Sequence, residues 1–472
     1  MGSRFEDTGE AMGSRKKGVK RSGYKIGQLR EYEEATKKSR KLYEEASKLL
    51  PRGVESNFRV VDPYPFYISR GEGSRVWDID GNEYLDFLLS QGVILLGHNH
   101  PAIRKAVAEQ IERGMTFALP TERVVEAARL VNELFPSMQM LRFANSGTEA
   151  TMHAIRVARG FTGKDKIAKS EGGYHGVHDQ VLWSIWGPDE LLGSKRNPKP
   201  CSFSKGIPKA YADLLVPIIY NDLEGTEEIL RKNARDLAAL IMEPVMGNAG
   251  CLLPRDNYLQ ETAKICREND ILLILDEVVT GFRLAPGGAQ QIYGLRPDMT
   301  CLGKALGGGM PVAAFGGRRE IMESIVPNYG KWPWSSFHGG TYNAHPAGMA
   351  ASVAALRIYK QGRFYPRLNR LSDELFNGLA EITADLGFNS QVSHIGSMGF
   401  IYFKDTKVVD VRDTHTANWD LVFKWAMEGV KRGVLFGHPK GEKLFLSAAH
   451  TKDDVDMALQ IAEECFGVLA KK

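Results

Sequence analysis

Cysteine is scarce in this chain of 472 residues, and long apolar runs are missing. The five cysteines are scattered without a C-x-x-C pair, which argues against a disulfide framework and against a zinc site. The longest apolar stretch, residues 271–279, is interrupted by Asp276 and Glu277 and is far shorter than the roughly 18 residues of a membrane helix. These absences predict a soluble protein of a reducing, cytoplasmic compartment, with no metal site.

Charge of one sign and targeting signals are also lacking. The 61 basic and 57 acidic residues give a net charge of +4, which is too small to indicate a nucleic-acid partner. Residues 1–40 repeat the sequence Met-Gly-Ser-Arg and hold several lysines without a hydrophobic region, which excludes a secretory signal. We expect residues 1–40 to be a flexible extension, and we expect neither a membrane nor a nucleic acid as partner.

Apolar runs that alternate with helical stretches predict the fold class. From residue 97 onward this alternation indicates crossover connections, and hence an α/β fold with a mostly parallel sheet covered on both faces. The strands that we expect in this sheet are residues 141–144, 214–219, 239–242, 271–275 and 312–315.

A smaller α+β domain is predicted from the segments on either side. The first segment predicts an amphipathic helix over 31–50 and a hairpin around Asp80–Asn82. After about residue 347 the pattern predicts a long helix, a strand near 397–403 and a final helix from Asp453. We therefore divide the chain into an extension (1–40), an N-terminal segment of the small domain (41–96), a large domain (97–346) and a C-terminal small domain (347–472).

Lys304 and Asp276 indicate the chemistry. Lys304 follows a strand-like run and precedes three glycines, so its amine is expected to turn inward. Asp276 follows the apolar run 271–275, at the carboxyl end of a strand, where open α/β sheets hold their functional sites. A lysine can bind an aldehyde cofactor as a Schiff base while an aspartate keeps its pyridine nitrogen protonated, which is the chemistry of pyridoxal phosphate. A metal-binding carboxylate is the rival interpretation, and no histidine stands nearby in sequence to support it.

Two glycine-containing turns fit the same interpretation. Asn145–Ala150 opens a predicted helix, whose N-terminal amides suit a phosphate, although a plain N-cap formed by Ser146 or Thr148 explains the same pattern. Tyr174 lies between glycines, which lets its ring face a planar cofactor, although a loop tyrosine packed on the core is equally compatible.

Six motifs in order resemble the class III pyridoxal phosphate-dependent aminotransferases. The similarity spans about residues 45–470 and is greatest to the glutamate-1-semialdehyde 2,1-aminomutase branch. It implies the two-domain fold known as fold type I. The motifs are Asn145–Ala150, Tyr174–Gly176, Glu243–Val245, Asp276–Arg283, Gly303–Gly309 and Gly340–Asn343.

The resemblance also implies roles for individual residues. Lys304 would carry the cofactor and move protons, and Asp276 would hold the pyridinium. The remaining cofactor-binding residues would be Ser146, Gly147 and Thr148 at the phosphate, Tyr174 and Val278 on the two faces of the ring, His175 beside them, and Glu243 and Asn248 near the 3-hydroxyl. Thr341 would reach the cofactor phosphate of a neighbouring subunit, which implies a homodimer with shared sites. Arg59 would bind the substrate carboxylate, and Glu442 matches a gating glutamate.

The chain departs from the aminomutase pattern where substrate is handled. Trp183 and Trp186 lie where the aminomutase has a small-residue gating loop, and Trp332 and Trp334 precede Thr341. Aromatic residues in both places predict a more apolar pocket for a bulky or aromatic amine.

The departures favour an intermolecular aminotransferase that moves an amino group from an amino acid, perhaps a β-amino acid, to a keto acid or aldehyde. The aminomutase itself and an amino-acid racemase or epimerase are the alternatives, because they use the same cofactor and lysine. A binding protein that kept the fold is a further alternative, which would have little reason to keep Lys304 and Asp276 together. The sequence does not identify the amino donor.

Overall fold

The computed structural model describes residues 29–437 and 443–471. Its centre is a seven-stranded sheet in which six strands run parallel and Ala313–Gly317 runs antiparallel to both of its neighbours. All five strands predicted from the sequence are present, and two further ones complete the sheet. In spatial order the strands are Met140–Ala144, Ala313–Gly317, Met299–Leu302, Leu272–Glu277, Leu237–Met242, Lys166–Ser170 and Leu215–Ile218.

Helices cover both faces of this sheet because its strands are apolar on both sides. The two central strands, Leu237–Met242 and Leu272–Glu277, are buried at every position. The fold is the α/β class predicted from the sequence. The α-helices of six or more residues in the described part of the chain are Arg30–Ala35, Lys37–Ala46, Pro101–Glu112, Glu122–Leu134, Gly147–Thr162, Leu223–Asn233, Tyr258–Glu268, Gly288–Tyr293, Pro346–Gln361, Tyr365–Asp385, Trp419–Lys431 and Lys452–Ala470.

The small domain combines segments from both ends of the chain. The hairpin predicted around Asp80–Asn82 is confirmed, and the strand Glu83–Asp86 pairs in parallel with Val434–Leu435. Arg75 also forms an ion pair of 2.8 Å with the buried Asp454 near the C-terminus. These contacts support the division into domains made above, which we retain as a proposal with one correction. The flexible extension predicted over 1–40 is wrong from residue 30 onward, because Arg30–Ala35 and Lys37–Ala46 are helices and Tyr32 is buried. Residues 1–28 lie outside the described residues. The small-domain strands are Ile68–Glu72, Arg75–Asp78, Glu83–Asp86 and Val434–Leu435 in one sheet and Ser390–Ile395, Met398–Phe403 and Leu444–Phe445 in another.

The first predicted helix is wrong in its extent. Instead of one helix over 31–50, the chain forms Arg30–Ala35 and Lys37–Ala46, with a break at Thr36. The carboxylate of Asp80 accepts hydrogen bonds from the backbone amides of Lys38 and Ser39, at 2.6 and 2.9 Å, and so caps the second helix. The break between the two helices is therefore set by Asp80, which lies 42 residues from Lys38 in sequence.

Two properties of the described residues bear on the function. None of their helices is long and apolar enough to cross a membrane. Within residues 29–437 and 443–471, no three histidine, cysteine or acidic side chains are grouped so that they could hold a metal ion.

Candidate active site

A cavity of about 330 Å³ lies at the carboxyl ends of the parallel strands. Ten of the thirteen residues predicted for the site line it, although they come from five separate segments of the large domain. These ten are Ser146, Gly147, Thr148, Tyr174, His175, Glu243, Asn248, Asp276, Val278 and Lys304. We call the lining around Asp276, His175 and Thr148 the cofactor end, because the sequence analysis assigned it to the cofactor. The lining residues Phe58, Gln91, Val93 and Lys443, which it did not assign, we call the substrate end.

Asp276 lies inside its strand, Leu272–Glu277, rather than after it, and is buried. His175 Nδ1 lies 2.7 Å from Asp276 Oδ2, and Oδ1 accepts the Val278 amide at 3.0 Å. The carboxyl group is thus held by two contacts, one to each of its oxygens. The neighbouring Glu277 is structural, because its carboxylate accepts the amides of Ala289 and Gln290. Asp276 is thus a fixed acceptor held in place by a histidine.

The helix Gly147–Thr162 directs its N-terminus at the cofactor end. Ser146 is its N-cap, and its hydroxyl accepts the Glu149 amide at 3.2 Å, so the N-cap interpretation holds together with the position in the cavity. A Cβ on Gly147 would lie 2.9 Å from Val278, so the turn packs against Val278 more closely than a residue with a side chain would allow. First-turn amides without helical partners and an adjacent hydroxyl, that of Thr148, form a donor set suited to a phosphate.

The loop of Tyr174 is packed directly on that helix. Gly176 has a φ of +101°, and a Cβ there would lie 2.7 Å from the Thr148 Cα. The Tyr174 amide donates to Glu243 Oε1 at 3.0 Å, and the Gly247 amide donates to Glu243 Oε2 at 2.9 Å. Burial raises the pKa of the Glu243 carboxyl. The loop and the carboxyl group are therefore fixed relative to the helix before any ligand binds.

Lys304 begins a short turn, Lys304–Gly307, after the strand Met299–Leu302. Its φ of +44° is unusual for a residue with a side chain, and such conformations are concentrated at functional sites. Its neighbour Gly303 lies against Val278, since a Cβ there would lie 3.2 Å from Val278 Cγ1. Lys304 thus reaches the cavity from the side of the cofactor end.

A second lysine, Lys169, is fully buried in the large domain and was missed by the sequence analysis. Burial lowers the pKa of its ammonium to about 7, which is a property expected of a nucleophilic lysine. However, its Nζ donates to the carbonyls of Trp183 and Ser170, at 2.7 and 3.2 Å, and it does not line the cavity. The geometry therefore favours Lys304 over Lys169 as the cofactor lysine.

Three predicted residues are not gathered in this cavity. Arg59 has a side chain that is 63% exposed and paired with Glu55, although its neighbour Phe58 lines the cavity. Thr341 is exposed, and its predicted contact with a neighbouring subunit stays a prediction. Glu442 lies outside the described residues. The proposed roles of all three remain predictions.

The four tryptophans that predicted a more apolar pocket do not line the cavity within the described part of a single chain. Trp183 is buried in the core of the large domain, and its indole donates to the Asp179 carbonyl at 2.7 Å. Trp186 is half exposed beside His415, and Trp332 and Trp334 contact each other at the surface. None of the four lines the cavity. Within one chain, the four tryptophans therefore give no support to a bulky or aromatic substrate.

Four of the lining residues that the sequence analysis did not select make up the substrate end. Phe58 packs edge-on against the ring of Tyr174, with centroids 5.6 Å apart. Gln91 and Val93 come from the N-terminal segment, and Lys443 from the residue before the strand Leu444–Phe445. Their sequence signal is weak, since only their adjacency to Arg59 and Glu442 could have marked Phe58 and Lys443.

Comparisons with known proteins agree with this geometry. The family model for class III aminotransferases matches residues 58–466. The chain is 42% identical to the glutamate-1-semialdehyde 2,1-aminomutase of Archaeoglobus fulgidus, over 90% of this chain and 99% of that protein. It is similar in structure to an omega-transaminase from Sphaerobacter thermophilus, with a TM-score of 0.86 and 34% identity over 92% and 98% of the two chains. A glutamate-1-semialdehyde-aminomutase from Pseudomonas aeruginosa PAO1 also gives a TM-score of 0.86, at 25% identity over 94% and 97%.

Proposed function

Since the chain belongs to the class III aminotransferase family of pyridoxal phosphate-dependent enzymes, we propose that it is an aminomutase of the glutamate-1-semialdehyde 2,1 type. The observation that carries this proposal is the 42% identity to such an aminomutase over 99% of its length. The sequence favoured an intermolecular aminotransferase because of four tryptophans, and these do not line the cavity of the described chain. The alternative given there is therefore better supported than its first choice.

The cofactor end has the groups that this cofactor requires. Pyridoxal phosphate, when bound, supplies an electron sink for the carbon that loses a proton. Lys304 would hold it covalently and, once displaced by the substrate, would remove and return protons at the reacting carbon atoms. Asp276, fixed by His175, would keep the ring nitrogen protonated. Tyr174 and Val278 would contact the two faces of the ring, and Glu243 and Asn248 its 3-hydroxyl side.

The phosphate would bind at the N-terminus of the helix Gly147–Thr162, with Ser146 and Thr148 beside it. We expect a cytoplasmic homodimer in which Thr341 completes the partner's phosphate site. Exposed aromatic residues in the same segment support such an interface, because apolar surface of this kind is usually covered by a partner. These residues are Tyr329, Trp332, Trp334, Phe337 and Tyr342.

The reaction is an isomerisation. The 2-amino and 1-oxo groups of glutamate 1-semialdehyde exchange places to give 5-amino-4-oxopentanoate, so neither an amino acceptor nor an oxidant is consumed. An intermolecular aminotransferase is the second candidate, supported by the 34%-identical omega-transaminase structure.

One experiment separates the two candidates. The purified protein, loaded with pyridoxal phosphate, is given glutamate 1-semialdehyde alone and the product is measured over many turnovers. We expect stoichiometric 5-amino-4-oxopentanoate. Conversion that needs an added amino donor and keto acid would instead establish the aminotransferase. Lys304→Ala, measured in parallel, corrects for the uncatalysed reaction.

A further inference from the structure

A buried arginine of the large domain, Arg283, joins three segments of the chain beside the substrate end. It follows the strand that contains Asp276, and its side chain is fully buried. Its Nη2 donates to the Gly92 carbonyl at 2.8 Å, and its Nη1 donates to the Leu446 carbonyl at 3.0 Å and to the Ser397 hydroxyl at 2.9 Å. One guanidinium thus connects the end of a large-domain strand with segments from both ends of the chain.

The Gly92 carbonyl belongs to a strained turn. Residues 89–92 all have positive φ angles, from +46° to +85°, and the first three of them carry side chains. Residues with side chains rarely adopt this left-handed conformation, which persists only where the surrounding structure holds it. Gln91 in this turn and Val93 directly after it both line the cavity. The strain therefore lies in the segment that places side chains at the substrate end.

The ring of Phe445 packs against both the turn and the guanidinium. A Cβ on Gly92 would lie 2.8 Å from Phe445 Cε1, and Arg283 Cζ lies 4.8 Å from the centroid of the same ring. At the start of the turn, Asp86 Oδ1 accepts the backbone amides of residues 88 and 89, at 2.8 and 3.0 Å. The turn is therefore held at its start by a carboxylate and at its end by Arg283 and Phe445.

We infer that Arg283 is a positioning residue, which holds the left-handed turn 89–92 in place and so sets the side chains of Gln91 and Val93 in the cavity. Its planar fork suits this role, because its two terminal nitrogens donate separately to the turn and to the Leu446 carbonyl. Arg283 does not itself line the cavity. The effect on substrate rests on the proposed function, whereas the effect on the turn does not.

The test is native-state hydrogen exchange of the cofactor-loaded protein, followed by mass spectrometry of the peptide that covers residues 88–95. The variants are Arg283→Met, which removes the donors, Ser90→Gly, and the two combined. Glycine adopts a left-handed conformation without strain, and Ser90 is exposed and does not line the cavity. Ser397→Ala is the matched control, because it removes one acceptor of the same guanidinium but leaves its hydrogen bonds to backbone carbonyls.

We expect Arg283→Met to speed exchange at residues 92–94 about 10- to 150-fold, as for the loss of one charge-assisted hydrogen bond. Adding Ser90→Gly should slow it again by about 5- to 30-fold, because the strain of one left-handed residue is removed. Ser397→Ala should leave exchange in the turn nearly unchanged, since the bond to the Gly92 carbonyl is retained. Unchanged exchange in Arg283→Met, no recovery in the double variant, or an equal loss in Ser397→Ala would overturn the inference.

A second variant keeps the test valid if Arg283→Met does not fold. Arg283→Lys retains the charge and a donor but lacks the fork that reaches the turn and the Leu446 carbonyl together. Faster exchange in the turn and its recovery by Ser90→Gly are expected here as well. Peptides that contain Asp276 or Lys304 should exchange as in the parent, and equal acceleration there would mean that Arg283 stabilises the whole fold instead.

Kinetics with glutamate 1-semialdehyde connect the turn to the substrate. Arg283→Met should raise KM while kcat and cofactor affinity are retained, and Ser90→Gly should lower KM again. A fall in kcat or in cofactor affinity without a rise in KM would contradict this part of the inference.

The exchange readout does not depend on turnover, so the two proposals can fail separately. If the parent protein does not convert the semialdehyde but exchange in the turn responds as expected, the aminomutase proposal fails and the positioning of the turn by Arg283 stands. If the semialdehyde is converted and exchange in the turn is unchanged in Arg283→Met, the role of Arg283 fails and the aminomutase stands.

Discussion

The two ends of the cavity differ in how firmly their polar side chains are held. At the cofactor end, Asp276 is fixed by His175 and by the Val278 amide, and Thr148 accepts the Val177 amide at 3.3 Å. At the substrate end, Lys443 has no ion pair with any described residue, and Phe58 is 38% exposed. The comparison suggests that the chemistry is preorganised in the folded chain, whereas the choice of substrate depends on side chains that a ligand still has to engage.

The largest effect should come from the cofactor end. Replacing Lys304 with alanine removes the amine that would hold the cofactor and move protons, so turnover should fall below detection. The measurement is the rate of substrate conversion, with Lys443→Met as the control from the other end. If Lys304→Ala retains activity similar to that of the control, the assignment of the chemistry to the cofactor end is contradicted.

Asp276→Asn should have the second largest effect on turnover. An amide cannot stabilise a protonated ring nitrogen as a carboxylate does, so kcat should fall by about 10²- to 10³-fold. Cofactor binding, followed by absorbance, should be largely retained. Near-normal kcat in this variant would contradict the role of Asp276 in the electron sink.

Gly176→Ala tests the packing of the Tyr174 loop on the phosphate helix. The positive φ and the contact with the Thr148 Cα should together cost about 3 kcal/mol, seen as weaker cofactor affinity. Gly163→Ala is the matched control, because Gly163 also has a positive φ, of +69°, but has no neighbour within 4 Å of its Cβ position. Equal cofactor affinities in the two variants would mean that the close contact is unimportant.

A histidine packed against the helix Gly147–Thr162, outside the cavity, should also give the protein a pH dependence: His178 Nε2 lies 3.2 Å from the Thr151 hydroxyl. Burial lowers the pKa of His178 from 6.5 to about 3, so this imidazole stays neutral in the folded protein while the unfolded chain takes up a proton. Its contribution is complete above pH 6.5 and is lost as pH falls, by up to about 3 kcal/mol at pH 4.

Urea unfolding of the parent and of His178→Asn at pH 7 and pH 4 measures this contribution. Asparagine does not titrate, so the variant should lose less stability than the parent on acidification. An identical loss in both proteins would show that His178 does not contribute.

The smallest effect is expected from Gly247→Ala, because Gly247 lies between Glu243 and Lys443 without lining the cavity. The added Cβ would make ordinary contacts, 3.4 to 3.6 Å from Glu243, Val279 and Lys443, at a backbone conformation that alanine tolerates. We expect KM to rise less than about tenfold with cofactor affinity unchanged. A loss of cofactor affinity as large as in Gly176→Ala would show that the two ends are not separate.

The sequence was sufficient to predict residues that meet in one cavity, because these residues belong to local patterns at strand ends. Asp276 and Lys304 were both placed by an apolar run and its neighbouring glycines, and both line the cavity. The turn Asn145–Ala150 was predicted in the same way, and the structure extends its helix to Gly147–Thr162.

The substrate end was not predictable in this way because distant segments form it. Gln91 lies in a turn with a φ of +58°, and Lys443 comes from the far end of the chain. Neither position has a periodicity or a motif that indicates where the side chain points. The position of the tryptophans was not predictable for the same reason, since composition alone does not show whether a side chain faces the cavity, the core or the surface.

The central claim is that Lys304, and not the equally unusual Lys169, holds the cofactor. Reduction of the protein and pyridoxal phosphate with borohydride, followed by proteolysis and mass spectrometry, locates the pyridoxyl group directly. We predict the label on Lys304, because this lysine lines the cavity while the Lys169 ammonium is occupied by two carbonyls in the core. A label on Lys169, or on any other lysine, would contradict the account.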